Sequence, residues 1–485
     1  MAPNPMKEIT TTATSTEEKS NAELREDWVE VKVQEIAELY RGITYKKDQA
    51  TNSEGQGLVP LLRANNIDRN INLDNLVYVP KALVKNHQII MTDDILFAMS
   101  SGSKHLVGKS AQATSDLHCS YGAFCALLRP SKLLTGRYVG FFFQSSRFRK
   151  RISEIAKGTN INNLKRDHIL ATTFPLAPLP EQRAIVEKVE ALFGEINRGV
   201  AELQKAQKQL ITYRQAVLKK AFEGELTREW RESNTQRNDT QQSQEDIPLG
   251  WTHTTTGEVM ELISNGYTPK SEFLMQGSGE IPFIKVYNLC FNGSLDFTIN
   301  PTFIPEEKHC KELKRSICKP GDVLINIVGP PLGKVSIVPE TYPEWNINQA
   351  IVRFRPNDQV GSNYLSYLLQ NPIIIRWLEN TSRATAGQFN IKVTTCRKIP
   401  FLLPPLAEQQ QIVEEIETRL SLCDAVEASL TAGLAKAAAL KQSVLKEAFA
   451  GRLLNNTELA ACRAAPDWAP AAELLAAIQT SKQKK

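Results

Sequence analysis

Two glycine-containing loops come closest, in residue type and spacing, to a motif that does chemistry. Gly102–Ser110 has the glycines, lysine and serine that could surround a nucleotide phosphate, but five residues separate its glycines. A phosphate-binding loop requires about four residues there. Gly329–Lys334 has only three residues between its glycines, and a valine follows its lysine. Loops of such variable length are better explained as surface turns, and we predict that this chain binds no ATP.

Cysteine and histidine are the next candidates, because both can bind metal ions. The eight cysteines are irregularly spaced and include no C-x-x-C pair, which argues against a disulfide framework or a zinc ribbon. His309, Cys310 and Cys318 come closest to a metal-binding cluster, but ordinary partly buried residues are the preferred explanation. We predict no metal site, and free thiols in a reducing cytoplasm.

Enzyme motifs are also missing from the sequence. A DNA adenine methyltransferase needs an Asn/Asp-Pro-Pro-aromatic loop to hold a flipped base. The closest segment, Gly329–Leu332, lacks both the amide or carboxylate and the aromatic ring. The sequence contains no glycine-rich dinucleotide fingerprint, no G-x-S-x-G elbow and no H-E-x-x-H pair. We predict no catalytic residues and no cofactor in this chain.

Length, composition and charge limit the class of protein. With 485 residues, of which 42% are hydrophobic and 23% charged, the chain is typical of a globular protein of two or three domains. No stretch approaches the run of about 18 apolar residues that spans a bilayer. Residues 28–177 contain 20 Lys and Arg against 12 Asp and Glu, whereas residues 248–404 contain 15 against 13. Because binding to DNA phosphates needs local positive charge, the first segment favours such binding more clearly.

An internal repeat is the strongest feature of the sequence. Pro178–Glu187 (PLPEQRAIVE) recurs as Pro405–Glu414 (PLAEQQQIVE), and Gln215–Gly224 (QAVLKKAFEG) recurs as Gln442–Gly451 (QSVLKEAFAG). Both pairs are separated by the same 227 positions, so no insertion lies between the two motifs. Such a constant separation is expected for helices, because one inserted residue would rotate everything beyond it by about 100°.

The apolar residues between the two motifs recur at spacings of three and four, which predicts two long helices. In the first copy they are Val189, Leu192, Ile196, Val200, Leu203, Leu210, Tyr213 and Val217. In the second they are Ile412, Ile416, Leu420, Cys423, Leu430, Leu434, Leu440 and Val444. Pro180 suits a first helical turn, and Gly224 and Gly451 suit the residue after a helix end. We predict that the two helices pair with each other as an antiparallel coiled coil.

The segments before the helices match more loosely, which predicts two related globular domains. Matching residues include Trp28 and Trp251, Asp94 and Asp322, Arg129 and Arg355, and Tyr138 and Tyr364. The predicted organisation is a disordered leader (1–27), a first domain (28–177), a helix (178–230), a linker (231–247), a second domain (248–404), a helix (405–454) and a partly helical tail (455–485). The fold class is α+β: two mixed α/β domains alternate with two long helices in a pseudo-twofold repeat. Strands are predicted at 58–62, 95–98, 123–128, 281–286, 323–327 and 350–354, and a helix at about 136–155.

Duplicated variable domains alternating with P-L-x-E-Q…A-F-x-G helices resemble the specificity subunit of Type I restriction–modification systems. The resemblance extends from Trp28 to Gly451. It implies two target recognition domains, each reading half of a bipartite asymmetric DNA site, on helices that set the spacer and dock two methyltransferase subunits. Two restriction–translocase subunits complete such a complex. S-adenosylmethionine, ATP and Mg²⁺ would belong to those partners, and the assembled complex would be an adenine-N6 methyltransferase and ATP-dependent endonuclease.

Base readout needs Arg, Lys, Asn, Gln or Ser on loops that can enter the major groove. The candidate DNA contacts in the first domain are Arg41, Tyr45, Lys46, Lys47, Arg63, Asn65, Asn66, Ser100, Ser101, Ser103, Lys104 and Lys109. The candidates in the second domain are Asn265, Tyr267, Thr268, Lys270, Lys285, Tyr287, Asn288, Asn326 and Lys334. The loops 158–163 and 387–390 are predicted to follow phosphates. For each single residue, a solvated surface side chain is an equally good explanation.

The identical residues at the ends of the helical repeat predict two equivalent docking faces, because packing alone does not require identical exposed side chains. The candidate partner-binding residues are Glu181, Gln182, Glu187, Lys219, Phe222, Glu408, Gln409, Glu414, Lys446 and Phe449. Two alternatives stay open at this point: a coiled-coil scaffold that binds only proteins, and an enzyme with an unrecognised active site. Salt-dependent DNA binding would exclude the scaffold.

Overall fold

A computed structural model describes residues 25–68, 70–100, 107–157, 163–234, 247–329, 331–381 and 390–484. The strands of the first globular domain are β1 (Val29–Lys32), β2 (Ala37–Arg41), β3 (Leu58–Leu62), β4 (Val77–Pro80), β5 (Ile95–Ala98), β6 (Ser110–Gln112), β7 (Ser120–Tyr121), β8 (Cys125–Pro130) and β9 (Thr173–Leu176). The strands of the second are β10 (Thr252–Thr255), β11 (Met260–Asn265), β12 (Met275–Gln276), β13 (Ile281–Ile284), β14 (Thr302–Ile304), β15 (Ile317–Cys318), β16 (Val323–Asn326), β17 (Val335–Ile337), β18 (Trp345–Ile347), β19 (Ile351–Pro356) and β20 (Pro400–Leu403).

The helices are α1 (Val33–Ile36), α2 (Gly136–Gln144), α3 (Ser146–Lys157), α4 (Arg166–Leu170), α5 (Leu179–Phe222), α6 (Arg228–Asn234), α7 (Thr256–Val259), α8 (Glu306–Cys310), α9 (Ser362–Gln370), α10 (Pro372–Thr381), α11 (Val393–Cys396), α12 (Leu406–Phe449), α13 (Asn456–Arg463) and α14 (Ala471–Gln483). The long helices α5 and α12 are each 44 residues long, as equal repeats predict. Gly224 and Gly451 follow their ends with φ of +76° and +71°, a backbone conformation that glycine adopts without strain. The predicted helix at 136–155 is two helices, because the chain bends at Ser145, which has an extended backbone.

The chain folds as two compact units, and each unit contains one globular domain and part of each long helix. The first unit consists of the chain up to Ala201 and from Leu434 onward, and the second of Glu202–Gly433. In the first unit Val189 of α5 and Leu445 of α12 share one apolar core. In the second unit Val217 of α5 and Ile416 of α12 share another.

The direction of the two helices is given by two contacts between them in the second unit, one apolar and one polar. A Cβ atom at Gly433 would lie 3.2 Å from a methyl group of Leu203, and Arg214 donates to Asp424 Oδ1 at 2.6 Å. Residue numbers rise along α5 while they fall along α12, so the helices are antiparallel. The predicted antiparallel pairing is confirmed.

The two globular domains share one sheet topology, although their sequences match only loosely. The main sheet of the first has the strand order β2-β8-β5-β6, and that of the second has the order β11-β19-β16-β17. Both sheets are antiparallel throughout. A smaller sheet in each domain contains one parallel pair, β3 with β7 and β13 with β18. The predicted strands 58–62 and 95–98 have the observed bounds, and the other four differ by a few residues at their ends.

The C-terminal tail belongs to the first unit. Leu459 and Cys462 of α13 and Ile478 of α14 are buried in the same core as the first domain. Two ion pairs join α13 to other parts of this unit: Lys188 with Glu458 at 2.6 Å and Arg463 with Asp27 at 2.5 Å. Asp27, the last residue of the predicted leader, is thus held by the C-terminal tail, and residues 1–24 lie outside the described part.

Candidate nucleic-acid interface

Three loops of the first domain converge on one cavity of about 870 Å³. The loop after β2 contributes Tyr45 and Lys47, the loop after β3 contributes Arg63 and Asn65, and the loop after β5 contributes Ser100. All five were predicted DNA contacts, and they come from segments up to 55 positions apart in the sequence. The tertiary structure therefore gathers hydrogen-bond donors and positive charge at one place, as base readout requires.

Two backbone segments approach closely beside this cavity, which Ile43 and Gly122 line. Ile43 N–H donates to the carbonyl oxygen of Tyr121 at 2.8 Å, and a Cβ atom at Gly42 would lie only 2.0 Å from the carbonyl oxygen of Gly122. Glycine is therefore required at position 42. The second domain repeats this arrangement, since a Cβ atom at Gly266 would lie 2.1 Å from the carbonyl oxygen of Ile347. The two domains use the same backbone crossing to present the loop that follows.

Phe124 lies beside this cavity and was not predicted from the sequence. Its side chain is 69% exposed. It lines both the 870 Å³ cavity and a neighbouring one of 440 Å³, which also contains Arg41, Asn163 and Arg166. A large exposed ring among basic and amide side chains can stack on the bases of a single strand, or contact a thymine methyl group in the major groove of a duplex. No local pattern distinguishes it, because a single aromatic residue next to the start of the buried strand β8 has the same sequence context as a core residue.

The polar loops of the second domain are arranged around aromatic rings. Lys285 Nζ lies 5.9 Å from the ring centre of Tyr287, and Lys334 Nζ lies 5.7 Å from that of Phe291. Tyr267 and Phe291 are exposed. Each lysine ammonium group therefore lies within about 6 Å of an aromatic ring centre, a separation at which a cation is attracted to the ring face.

The other predicted DNA contacts of the two domains differ in their exposure and in their hydrogen-bond partners. Arg41, Lys46, Asn265 and Lys270 are exposed, and Thr268 donates a hydrogen bond to Gln349 Oε1. Arg63, although exposed, donates to the carbonyl oxygen of Asn75 at 3.1 Å, and Lys109 forms an ion pair with Asp68 at 2.7 Å.

Ser101, Ser103 and Lys104 lie outside the described residues, as do most of the loops 158–163 and 387–390. The last residue of each loop is described, and each forms an isolated antiparallel β-bridge: Asn163 with Ser100, and Asn390 with Val328.

Three predicted DNA contacts are buried and require correction. Asn66 and Asn288 occupy equivalent turns, where each side chain accepts from a backbone N–H three residues earlier at 2.9 Å. Their amide groups each donate to two carbonyl oxygens further along the chain. Asn326 accepts from the N–H of Lys334 at 3.0 Å and donates to the carbonyl of Pro331. These amides are used to hold loops together, so they are not available to bases.

The helix motif P-L-x-E-Q is also buried, although its Glu and Gln were predicted to be exposed docking residues. Glu181 accepts from Trp28 Nε1 at 2.8 Å, and Glu408 accepts from Trp251 Nε1 at 2.8 Å. Gln182 and Gln409 each join the helix start to the globular domain through backbone groups. Identity at these positions therefore reflects two copies of one buried junction.

The other partner-binding candidates divide into buried and exposed residues. Phe449 is a core residue, and Phe222 packs on Tyr364. Glu187, Lys219, Glu414 and Lys446 are exposed, and partner binding by them stays a prediction.

Further matching residues form identical contacts in both domains. Arg129 binds Asp94 through two hydrogen bonds of 2.8 and 2.6 Å, and Arg355 binds Asp322 through two of 2.7 Å. Tyr138 and Tyr364 donate to carbonyl oxygens at 2.9 and 3.1 Å, and burial raises the pKa of both hydroxyls well above its ordinary value. These pairs support the domains rather than the interface.

The three residues that came closest to a metal-binding cluster, His309, Cys310 and Cys318, have separate environments. His309 Nε2 lies 3.0 Å from Glu344 Oε2, and its Nδ1 lies 3.1 Å from Asn346 Nδ2. Cys310 is exposed, whereas burial raises the pKa of the Cys318 thiol. Within the described ranges, no group of three His, Cys, Asp or Glu side chains is placed to hold a metal ion. In the same part of the chain, no helix is long and apolar enough to cross a membrane.

Two copies of one α+β domain on paired antiparallel helices, with basic and amide side chains gathered on their loops, define a duplicated recognition protein. The family model described as "Type I restriction modification DNA specificity domain" matches residues 25–205 and again 248–434. The chain therefore belongs to the family of Type I restriction–modification specificity subunits.

Individual relatives agree over nearly the whole length. The chain is 33% identical to the EcoKI specificity subunit of Escherichia coli, over 90% of this chain and 91% of that protein. It is 32% identical to the StySPI specificity subunit of Salmonella potsdam, with the same coverage. A solved chain of a type I R-M system, 21% identical, has a TM-score of 0.64 over 89% of this chain and 99% of its own length, which shows the same fold.

Proposed function

We propose that each globular domain reads one half of a bipartite, asymmetric DNA site, and that the chain performs no chemistry itself. The observation that carries this proposal is the convergence of Tyr45, Lys47, Arg63, Asn65 and Ser100 on one cavity beside the exposed ring of Phe124. Phosphate contacts would position the domain, and base-edge contacts would give it specificity. The repeated topology provides a second reader with different loops and hence a different half-site.

Two methyltransferase subunits and two restriction–translocase subunits complete the proposed assembly in the cytoplasm. Double-stranded DNA is the remaining partner. The paired helices would set the length of the unspecified spacer, and their exposed repeated residues Glu187, Lys219, Glu414 and Lys446 are candidate methyltransferase contacts. S-adenosylmethionine, ATP and Mg²⁺ would be bound by the partner subunits and not by this chain.

Exchange of one domain tests this division of labour. Residues 28–177 are replaced by the matching segment of a relative, the variant is co-expressed with its partner subunits, and methylated adenines are mapped by long-read sequencing. We expect one half-site to change while the other half-site stays the same. The matched control, exchange of residues 248–404, should change only the other half-site. If either exchange altered both halves together, the proposal would be wrong.

A further inference from the structure

A strongly basic cavity of about 520 Å³ lies in the second domain, along the edge strand β11. Six of its thirteen lining residues are Lys or Arg, and one, Glu344, is acidic. Glu344 is hydrogen-bonded to His309. The positive charge of this cavity is therefore compensated only in part by its own lining.

Arg353 on β19 is the buried charge of this cavity, with 3% of its surface exposed. Its Nη2 donates to Ser264 Oγ at 2.7 Å and to the carbonyl oxygen of Arg315 at 3.2 Å. Its Nε is buried without an acceptor, and no carboxylate in the described part of the chain forms an ion pair with it. A buried guanidinium without an anionic partner is energetically unfavourable, and burial lowers the pKa of Arg353 accordingly.

The first domain shows that the fold does not require this arginine. Arg353 lies opposite Ser264 on β11 and Leu324 on β16. At the same position of the first domain, Leu127 lies opposite Tyr40 on β2 and Leu96 on β5. The second domain thus has an arginine in place of a leucine, and a serine in place of a tyrosine. The smaller side chain leaves space beside the guanidinium, and Ser264 hydrogen-bonds to it.

The other Lys and Arg side chains that line the cavity differ in whether they already have hydrogen-bond or ion-pair partners. Arg355 is held by two hydrogen bonds to Asp322, and Arg397 donates to the carbonyl oxygen of Ile263 at 2.7 Å. Lys314, Arg315 and Lys319 are exposed, and none of them forms an ion pair with a described residue. Arg353 therefore lies at the buried end of a site whose exposed side has further positive charge.

We propose that this cavity binds a phosphate group, with Arg353 as its buried ligand. Guanidinium groups hold phosphate oxygens through directed, charge-assisted hydrogen bonds. The phosphate could come from two sources: the DNA backbone or free inorganic phosphate. Asn265, a predicted DNA contact, also lines the cavity. The first source rests on the proposed DNA-reading function, whereas the second does not.

Two variants of the full-length chain separate the role of the charge from that of the space. R353L installs the residue of the first domain, and S264Y fills the space with the tyrosine of the first domain while the charge is retained. K311L is the matched control, because it removes an exposed charge that lies outside the cavity lining of the same domain. Circular dichroism and thermal unfolding without phosphate establish that each variant is folded. If R353L is not folded, phosphate binding by S264Y alone tests the site.

Binding of inorganic phosphate is measured by calorimetry and by the shift in melting temperature. DNA affinity is measured at several salt concentrations. With free phosphate as the ligand, phosphate stabilises the wild type and K311L, and R353L and S264Y weaken its binding about tenfold or more. With a DNA phosphate as the ligand, R353L lowers the dependence of log affinity on log salt by about one and weakens binding to every sequence, whereas K311L has neither effect.

The outcomes are distinguishable from failure of the proposed function. If wild-type chain fails to bind DNA but its phosphate binding depends on Arg353, the cavity is a free-phosphate site and the DNA-reading proposal fails. If phosphate does not bind and R353L leaves the affinity and salt dependence of DNA binding unchanged, the phosphate site is overturned while DNA reading stands.

Discussion

At the scale of single residues, the position of the Phe124 side chain is not explained by folding alone. Burying such a ring would stabilise the domain by roughly 1.5–3 kcal/mol, yet it stands in solvent between two cavities lined by Arg41 and Arg63. Exposed aromatic rings beside basic side chains stack on bases or contact thymine methyl groups. We infer that Phe124 contacts DNA in the first half-site.

Replacing Phe124 with alanine should therefore weaken binding to duplex DNA by up to about 1.5–3 kcal/mol, the free energy of burying the ring, without lowering stability. Fluorescence anisotropy with a duplex containing the full site measures the first effect, and thermal unfolding measures the second. Y213A is the control, because Tyr213 is a similarly exposed aromatic residue but lies on α5. Unchanged affinity of F124A would exclude a DNA contact by this ring.

At the scale of elements, a buried carboxylate at the start of each long helix joins that helix to its globular domain. Glu408 accepts hydrogen bonds from Trp251, Thr227 at 2.7 Å and Arg231 at 3.0 Å. Glu181 accepts one from Trp28, and Arg25 Nε lies 3.9 Å away. One oxygen of Glu181 is without a donor in the described chain. The two copies of the junction therefore differ in how well their buried charge is compensated.

This difference predicts unequal effects of the same substitution. W28F should lower the free energy of unfolding of the first unit by about 1–3 kcal/mol, because it leaves Glu181 buried without its close donor. W251F should cost the second unit less, since Glu408 keeps two donors. Hydrogen–deuterium exchange mass spectrometry resolves the two units and so measures both effects. Equal losses in the two variants would contradict this account of the junctions.

The long helices also predict a dependence on the number of inserted residues. One alanine inserted after Ala206 should destabilise the second unit, because it rotates Val217 and Ala221 by about 100° away from α12. Seven residues inserted at facing positions of α5 and α12 restore the apolar stripe to within about 20°. We expect the longer variant to remain folded and to read the same bases with a longer spacer. Methylation mapping would reveal either a new spacer or, against the prediction, a changed half-site.

At the scale of the whole molecule, the chain is expected to depend on partners for chemistry. Purified full-length chain mixed with DNA and S-adenosylmethionine should transfer no methyl groups, and addition of the methyltransferase subunits should restore adenine methylation. Incorporation of tritiated methyl groups measures both reactions. Methyl transfer by the chain alone, abolished by a substitution within it, would reveal an active site in this chain.

The sequence by itself determined the duplication, the two long helices and their pairing. These features follow from a period in the apolar residues and from a constant separation between motifs, both of which are local properties that helices retain. It also identified the loop residues Tyr45, Lys47, Arg63, Asn65 and Ser100 as candidates. The identity of the helix motif, however, was explained by an exposed docking face, which burial of Glu181 and Glu408 corrects.

Only the tertiary structure decided which polar residues are accessible. Asn66 and Asn65 are adjacent and chemically identical, yet one is buried in a turn and the other lines the cavity. The strand order, the exposure of Phe124 and the lack of an ion pair between Arg353 and any described carboxylate likewise depend on segments distant in the sequence. The physical reason is that burial and pairing of a side chain are set by contacts between strands, and a local pattern does not contain those contacts.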